Sequence, residues 1–593
     1  MKWKKYIKPY LPYFIAGPLC MILEVIGEVL MPWFLKSVLN EGTGGTLTVG
    51  KSVLYAGAMV LTALLMMAGG VGGAYFGTKA SVGFATDLRL DLYKHVQCFS
   101  FANIDKFSAG SLVTRLTNDV TQLQNFVNML LRMCLRAPGM MIGALVMSIM
   151  IRPSLSAVFC VSIPILVIVV FIIIRMGFPR FTKMQQKIDE LNSTVQENIT
   201  NVRVVKSFVR ENYEEEKFTA ANSRLKKAGM SAYKMMIGMQ PVMTICMNLT
   251  TVAVLWIGGQ IVMRESGIAG GMQIGDLSSF VTYVTQILSS LMMLTMMFMT
   301  SSRAFASAKR VREVLDEQPD ISDGNSCTDK KVDRGEIEFR DVSFRYYKSS
   351  EETVLSNISL YIPAGATVGI IGSTGCGKTT LVSMIPRLYD PDSGSILVDG
   401  TDVRDYSLDN LRSGIGMVLQ KNVLFSGTIA DNLRFGNPDA EYSDIEEAAK
   451  HAQADKFISS FTDGYDTVIE QGGTNVSGGQ KQRLCIAAAL LKRPKILILD
   501  DSTSAVDTAT EARIRDTFRN DLPDSTKIII AQRISSVIDA DTIIVINDGR
   551  ITGTGTHREL IESNTEYREI YFSQVSENET AVKGGSRIEG KNS

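Results

Sequence analysis

The 593-residue chain lacks a dominant charge, since 61 Lys and Arg balance 61 Asp and Glu for a formal net charge of zero. That balance argues against a nucleic-acid binder relying on bulk positive charge. It also lacks any Cys-x-x-Cys pair. Its eight cysteines, Cys20, Cys98, Cys134, Cys160, Cys246, Cys327, Cys376 and Cys485, are scattered, several of them inside apolar runs. They are expected as small core or lipid-facing residues rather than disulfides or metal ligands. No cleavable signal peptide is expected. Lys2, Lys4, Lys5 and Lys8 precede an apolar run that starts near Tyr10, is too long for a signal core and has no small-residue cleavage site. What the chain does have is length beyond one compact domain and 46% hydrophobic residues beside 21% charged ones. Nearly all the long apolar runs fall before about residue 310, and the rest alternates as an α/β domain does.

A membrane-spanning helix needs about 20 mostly apolar residues. Stretches near 10–36, 52–77, 127–150, 155–178, 237–263 and 274–300 qualify. Six spans return both ends of the domain to the side that holds the N-terminal lysines. Segments 78–126 and 179–236 are rich in Lys and Arg and are placed in the cytoplasm, with the short turns at 37–51, 151–154 and 264–273 outside. Charges interleave with apolar residues at helical spacing over 179–236, so long helices are expected to run well beyond the bilayer.

Glu24 and Glu28 share one face of the first span. They either meet a cationic substrate or a water-filled cavity, or pair with an arginine such as Arg132 or Arg136. The run Leu291-Met-Met-Leu-Thr-Met-Met-Phe-Met299 suits a surface that accepts several apolar shapes, or else ordinary helix packing.

From about residue 336, short β-branched runs alternate with polar helical patterns. Gly372-Ser373-Thr374-Gly375-Cys376-Gly377-Lys378-Thr379 matches the P-loop in full, between the strand-like Val368–Ile371 and a helical pattern that runs on through Thr380. The glycines let backbone N–H groups wrap phosphates. Lys378 is expected at the β- and γ-phosphates of ATP, and Thr379 at Mg²⁺. Ile496-Leu-Ile-Leu-Asp500 is a buried strand ending in a carboxylate, which suits a second Mg²⁺ ligand. Cys376 is either an oxidation-sensitive thiol or a small residue at a variable position.

Ser477-Gly478-Gly479-Gln480 stands between these two elements. Together they resemble the ATP-binding cassette family, and the resemblance covers roughly residues 5–575. It implies a helical transmembrane domain over 1–320, with six helices, a linker over 321–335, an α/β cassette over 336–575 and a polar tail over 576–593. It implies that Ser477–Gln480 caps an ATP held by a second cassette, so a partner chain is required. Tyr346 resembles the adenine-stacking aromatic, with Tyr347 as a competitor. Gln420 resembles the glutamine that contacts Mg²⁺ and water, and Ser504-Ala-Val-Asp507 the loop after the second Mg²⁺ ligand. Glu470 resembles an exporter loop that touches the membrane domain. Ser108–Asp119 and Glu197–Phe208 resemble coupling-helix regions. The fused domain order implies export across a bacterial inner membrane, with the ATPase in the cytoplasm, and the acidic pair and the methionines lean towards amphipathic drugs or lipids as cargo.

Two positions depart from the family. Where the general-base glutamate is usual, the chain has Asp501, and where the switch histidine is usual it has Gln532. The chain's only histidines, His95, His451 and His557, stand elsewhere. An aspartate sets its carboxylate back by one bond, about 1.5 Å, and misplacement on that scale costs on the order of 100-fold in rate. Glutamine can hydrogen-bond a γ-phosphate but cannot carry imidazolium charge. The expectation is a heterodimer in which this chain's own site is degenerate while its signature completes the partner's site. The alternatives are a slow homodimer, a subunit in which ATP is a regulatory ligand, and an ATP-gated channel.

Overall fold

The computed structural model describes residues 3–265, 271–323, 329–346, 352–502 and 505–574. Cys327, Tyr347, Ser504 and the segment 576–593 lie outside the described residues, as do the side chains of Phe298 and Met299 in the methionine-rich run. The chain divides into two units, Met1–Val96 with Ala109–Asp316, and Gln97–Ser108 with Glu317–Ser593.

The first unit is helical. Its main elements are Leu11–Thr43, Val49–Gln97, Val120–Met133, Arg136–Ile151, Phe159–Thr200, Glu211–Glu265 and Ile274–Asp316. Among the described residues, five helices are long and apolar enough to cross a membrane, and a shorter apolar stretch covers Pro153–Val169. The stretch expected at 155–178 opens the 42-residue helix Phe159–Thr200, whose second half is polar.

Small residues let the helices close up. Gly69 and Gly73 are buried, and a Cβ there would lie 2.8 Å from Cys20 O and 2.2 Å from Met21 Cε. Pro32 sits inside Leu11–Thr43 and lacks the N–H that would serve Glu28 O. Gln286 Nε2 donates to that carbonyl at 2.9 Å. A proline is tolerated at this depth because a neighbouring helix supplies the missing donor.

The second unit contains a six-stranded sheet in the order Arg550–Gly555, Thr542–Asn547, Thr367–Gly372, Thr526–Ile530, Ile496–Asp500, Ile415–Val418. All neighbours are parallel except the antiparallel edge strand Arg550–Gly555. Thr526–Ile530 and Ile496–Asp500 are buried at every position, as suits parallel strands covered on both faces. The unit also holds a four-stranded antiparallel sheet, Leu355–Ile362, Ile337–Phe344, Ser393–Val398 and Thr401–Asp402, and a two-stranded one, Gly427–Thr428 with Val468–Ile469.

The short helix Phe101–Lys106 belongs to this unit. Ser100 caps it in a reciprocal box with Asn103. Asn103 is 1% exposed, and its Nδ2 donates to Glu317 Oε1 at 3.2 Å and Gln318 O at 3.1 Å.

Candidate nucleotide site

The strand Thr367–Gly372 delivers the chain into a tight loop that ends at the helix Lys378–Ser383. Two glycines are obligatory for steric reasons. A Cβ on Gly372 would lie 2.0 Å from Ile546 O, and Gly377 has φ +99° with its Cβ position 2.7 Å from Leu355 Cδ2. Lys378 Nζ folds back over the loop and donates to Gly372 O at 2.8 Å and Ser373 O at 2.7 Å. Its ammonium therefore stands over the same backbone that the motif predicts as a phosphate cradle.

Thr379 Oγ1 donates to Asp500 Oδ1 at 3.0 Å. Asp500 is 1% exposed, and its other oxygen has no hydrogen-bond partner among the described residues. Burial raises this carboxyl's pKa above the usual range, and Asp501's charge adds to the shift. An orphaned acceptor beside a hydroxyl fits a hard cation that takes oxygen ligands. No group of three or more His, Cys, Asp or Glu gathers among the described residues.

The other side of the site differs. Asp501 has φ +47°, in the left-handed region. Gln532 Nε2 donates to Asp501 Oδ2 at 2.8 Å, and Gln420 also hydrogen-bonds this carboxylate. Burial raises the Asp501 pKa, and the two amide contacts oppose that rise. The structure thus gathers Gln420, Asp501 and Gln532 into one hydrogen-bonded group.

Tyr346 is 43% exposed. Its hydroxyl shares a 2.8 Å hydrogen bond with Thr380 Oγ1, which ties it to the P-loop helix. Phe344 and Tyr389 brace its ring edge-on, at 5.0 Å and 5.2 Å between centroids. Tyr389 was not singled out from the sequence. Its hydroxyl donates to Asp105 Oδ2 at 3.1 Å, and Phe101 lies 6.1 Å from its ring. No sequence pattern near Tyr389 announces these partners, because Asp105 is 284 residues away.

Ser477 starts the helix Gly478–Leu491 with a capping box. Gln480 N donates to Ser477 Oγ at 3.3 Å, and Ser477 N to Gln480 Oε1 at 2.9 Å. Ser477 and Gly478 are exposed at this positive helix end. Gly479 is packed close, since a Cβ there would lie 2.7 Å from Ala505 O. Asp507 caps the next helix by accepting from Thr510 N at 2.9 Å, and hydrogen bonds from the Thr510 side chain and then its backbone lower the Asp507 pKa. Cys376 is buried, with Lys378 Nζ 3.7 Å from its sulfur. Glu470 accepts from Thr474 Oγ1 at 2.7 Å.

In the helical unit, Arg136 Nη2 lies 2.7 Å from Glu28 Oε1 and 3.1 Å from Glu24 Oε1. The two carboxylates therefore share a guanidinium.

Residues 14–291 match the family described as ABC transporter transmembrane region, and residues 355–504 match the ABC transporter family. The chain is 37% identical over 579 residues to the ABC transporter ATP-binding protein YfiB of Bacillus subtilis (strain 168), covering 96% of this chain and 97% of that one. It is 34% identical over 488 residues to an ATP-dependent lipid A-core flippase of Desulfotalea psychrophila (strain LSv54 / DSM 12343), covering 82% and 84%. Among solved structures, a bacterial Atm1-family ABC exporter with ATP bound matches at TM-score 0.78 and 26% identity, covering 95% of this chain and 98% of that one.

Proposed function

The chain belongs to the ABC transporter family, as a membrane-embedded exporter subunit with its ATPase in the same polypeptide, and from that premise we propose that it is the less catalytic half of a heterodimer. The observation that carries this reading is the 2.8 Å hydrogen bond from Gln532 to Asp501. The carboxylate at the general-base position is one methylene short, and an amide rather than an imidazole faces it. Beside it, the nucleotide grip is complete. Lys378 neutralises phosphate charge, and the Gly372–Gly377 backbone supplies N–H donors. Tyr346 stacks on the adenine. Thr379, Asp500 and Gln420 would hold Mg²⁺, which would draw off phosphate charge in this class of reaction. The site is therefore built to hold ATP and is poor at activating water.

The exposed end of Gly478–Leu491 has a separate role. Ser477, Gly478 and the cap hydrogen bonds form a ready anion-binding helix start. It serves the ATP bound by the partner, whose own site carries the faster hydrolysis. The turn between the long helices Phe159–Thr200 and Glu211–Glu265 supports dimerisation. Phe208 and Val209 are 73% and 80% exposed there, beside a groove lined by Val204, Val205, Arg210 and Tyr213. An apolar tip of this kind suits docking onto the partner's cassette.

We assign the sixth crossing to the apolar start of Phe159–Thr200. The cargo we assign is an amphipathic compound, a lipid or a drug-like molecule. A lipid flippase among the relatives supports this class. Purifying the chain alone and together with its partner tests the assignment. The mixed pair should transport with ATP while the lone chain does not. Robust ATP-driven transport by the lone chain overturns it.

A further inference from the structure

The loop that carries Gln532 leaves the buried strand Thr526–Ile530 and enters a short turn at Ile534–Ser536. Its backbone is gripped by a residue far along the chain. Gln574 Nε2 donates to Gln532 O at 2.8 Å, and Ile534 N donates to Gln574 Oε1 at 2.9 Å. One side-chain amide thus uses its donor and its acceptor to bracket Arg533, as a neighbouring strand would. The complementary pair of bonds also fixes which end of the amide is nitrogen.

Gln574 stands on a rigid base. Residues 565–574 are helical. Tyr567 in that helix is fully buried, and its hydroxyl meets His557 Nδ1 at 2.8 Å. Asn547 Nδ2 and Thr552 Oγ1 donate to Glu566 at 2.9 Å and 2.6 Å, tying the helix to the sheet edge. On the far side of the loop, Gln532 turns its own amide to Asp501.

We propose that Gln574 is a positioning residue for the switch. By pinning the carbonyl of residue 532 and the amide of residue 534, it aims the Gln532 side chain at Asp501 and at the γ-phosphate of a bound nucleotide. It acts through Gln532 and touches no nucleotide atom itself. The proposal goes beyond the division of labour between two halves and holds for either kind of dimer. It does rest on Gln532 occupying the switch position.

The test is a double-mutant cycle in the full-length chain within its dimer, comparing wild type, Gln574→Ala, Gln532→Ala and the double variant. Binding of the non-hydrolysable triphosphate AMP-PNP and of ADP to this chain is measured by photolabelling with their azido forms. Gln574→Ala should weaken AMP-PNP about fivefold, roughly one charge-neutral hydrogen bond, and leave ADP within twofold. In the Gln532→Ala background it should change neither, because coupled residues are non-additive. Gln574→Glu, which keeps the acceptor but sets a carboxylate against a carbonyl, should follow Gln574→Ala. Amide exchange at Ile534 should speed up in Gln574→Ala, which removes its acceptor.

Equal weakening of AMP-PNP and ADP, or the same loss in both backgrounds, would overturn the proposal and leave Gln574 as scaffold. If Gln532→Ala weakens AMP-PNP and Gln574→Ala does not, the positioning role alone falls. If Gln532→Ala itself has no effect, both the switch assignment and the proposal fall.

Discussion

The two walls of the nucleotide site differ in how they are built. On the P-loop wall, Lys378 donates to two backbone carbonyls, Thr379 bonds Asp500, and Gly372 and Gly377 occupy positions where no side chain fits. Every residue type there suits ATP retention. On the opposite wall, Asp501 and Gln532 hold each other by a hydrogen bond between a shortened carboxylate and an amide. Holding a nucleotide and activating water against it are separate physical tasks. The first needs donors and charge; the second needs a base within about 3 Å of a water. A chain can keep one and let the other decay, provided another chain performs the second.

The contrast can be broken most forcefully at its base. Gly372→Ala should destabilise the cassette by about 3 kcal/mol, since overpacking against a backbone carbonyl cannot be relieved by a rotamer change. Thermal unfolding of the full chain reads it, and a variant as stable as wild type would mean the strand end is not closed against Ile546. Next in size, Lys378→Ala removes the ammonium proposed to meet the β- and γ-phosphates through two charge-assisted hydrogen bonds. At about 1.5 kcal/mol each, ATP binding to this chain should fall on the order of 100-fold. Transport by the pair should slow rather than stop, and complete loss would mean that this site turns over in every cycle.

The opposite wall offers a sharper test. Asp501→Glu alone should raise single-turnover hydrolysis at this site by less than about threefold, because an amide still occupies the switch position. Adding Gln532→His should bring about tenfold or more, as positioned acid–base groups do. Full recovery from Asp501→Glu alone would place the whole defect in one methylene. The smallest effect belongs to the adenine end. Tyr346→Ala should weaken ATP about fivefold, the scale of one aromatic contact, and Tyr389→Phe about twofold through its lost hydrogen bond. Competition binding with ATP distinguishes the two.

How much of this was legible depended on how local each constraint is. Gly372, Gly377, Lys378 and Thr379 fall within eight consecutive residues whose backbone geometry dictates their types, so the motif alone located the loop. Ser477 and Gln480 cap one helix start at a spacing of three, which sequence also reveals. Tyr389, Asp105, Asn103 and Gln574 carried no such signal. Their partners lie 284, 214 and 42 residues away, and nothing within a local window requires them. The membrane half was legible as apolar length but not as helix ends. The stretch expected at 127–150 is broken between Met133 and Arg136, and the one at 52–77 is only the apolar part of Val49–Gln97. Hydropathy marks where lipid is tolerated, and hydrogen bonding decides where a helix stops. Arg136 is one of the two arginine partners the sequence offers for Glu24 and Glu28, since two carboxylates one helical turn apart can converge on a single guanidinium.

The most direct test asks what chemical form the nucleotide on this chain takes during turnover. Azido-ATP is incubated with the purified pair in the presence of Mg²⁺ and orthovanadate, crosslinked, and identified on each chain after separation. This chain should carry unhydrolysed triphosphate, and its partner vanadate-trapped diphosphate. Trapped diphosphate on this chain in an amount equal to the partner's would contradict it.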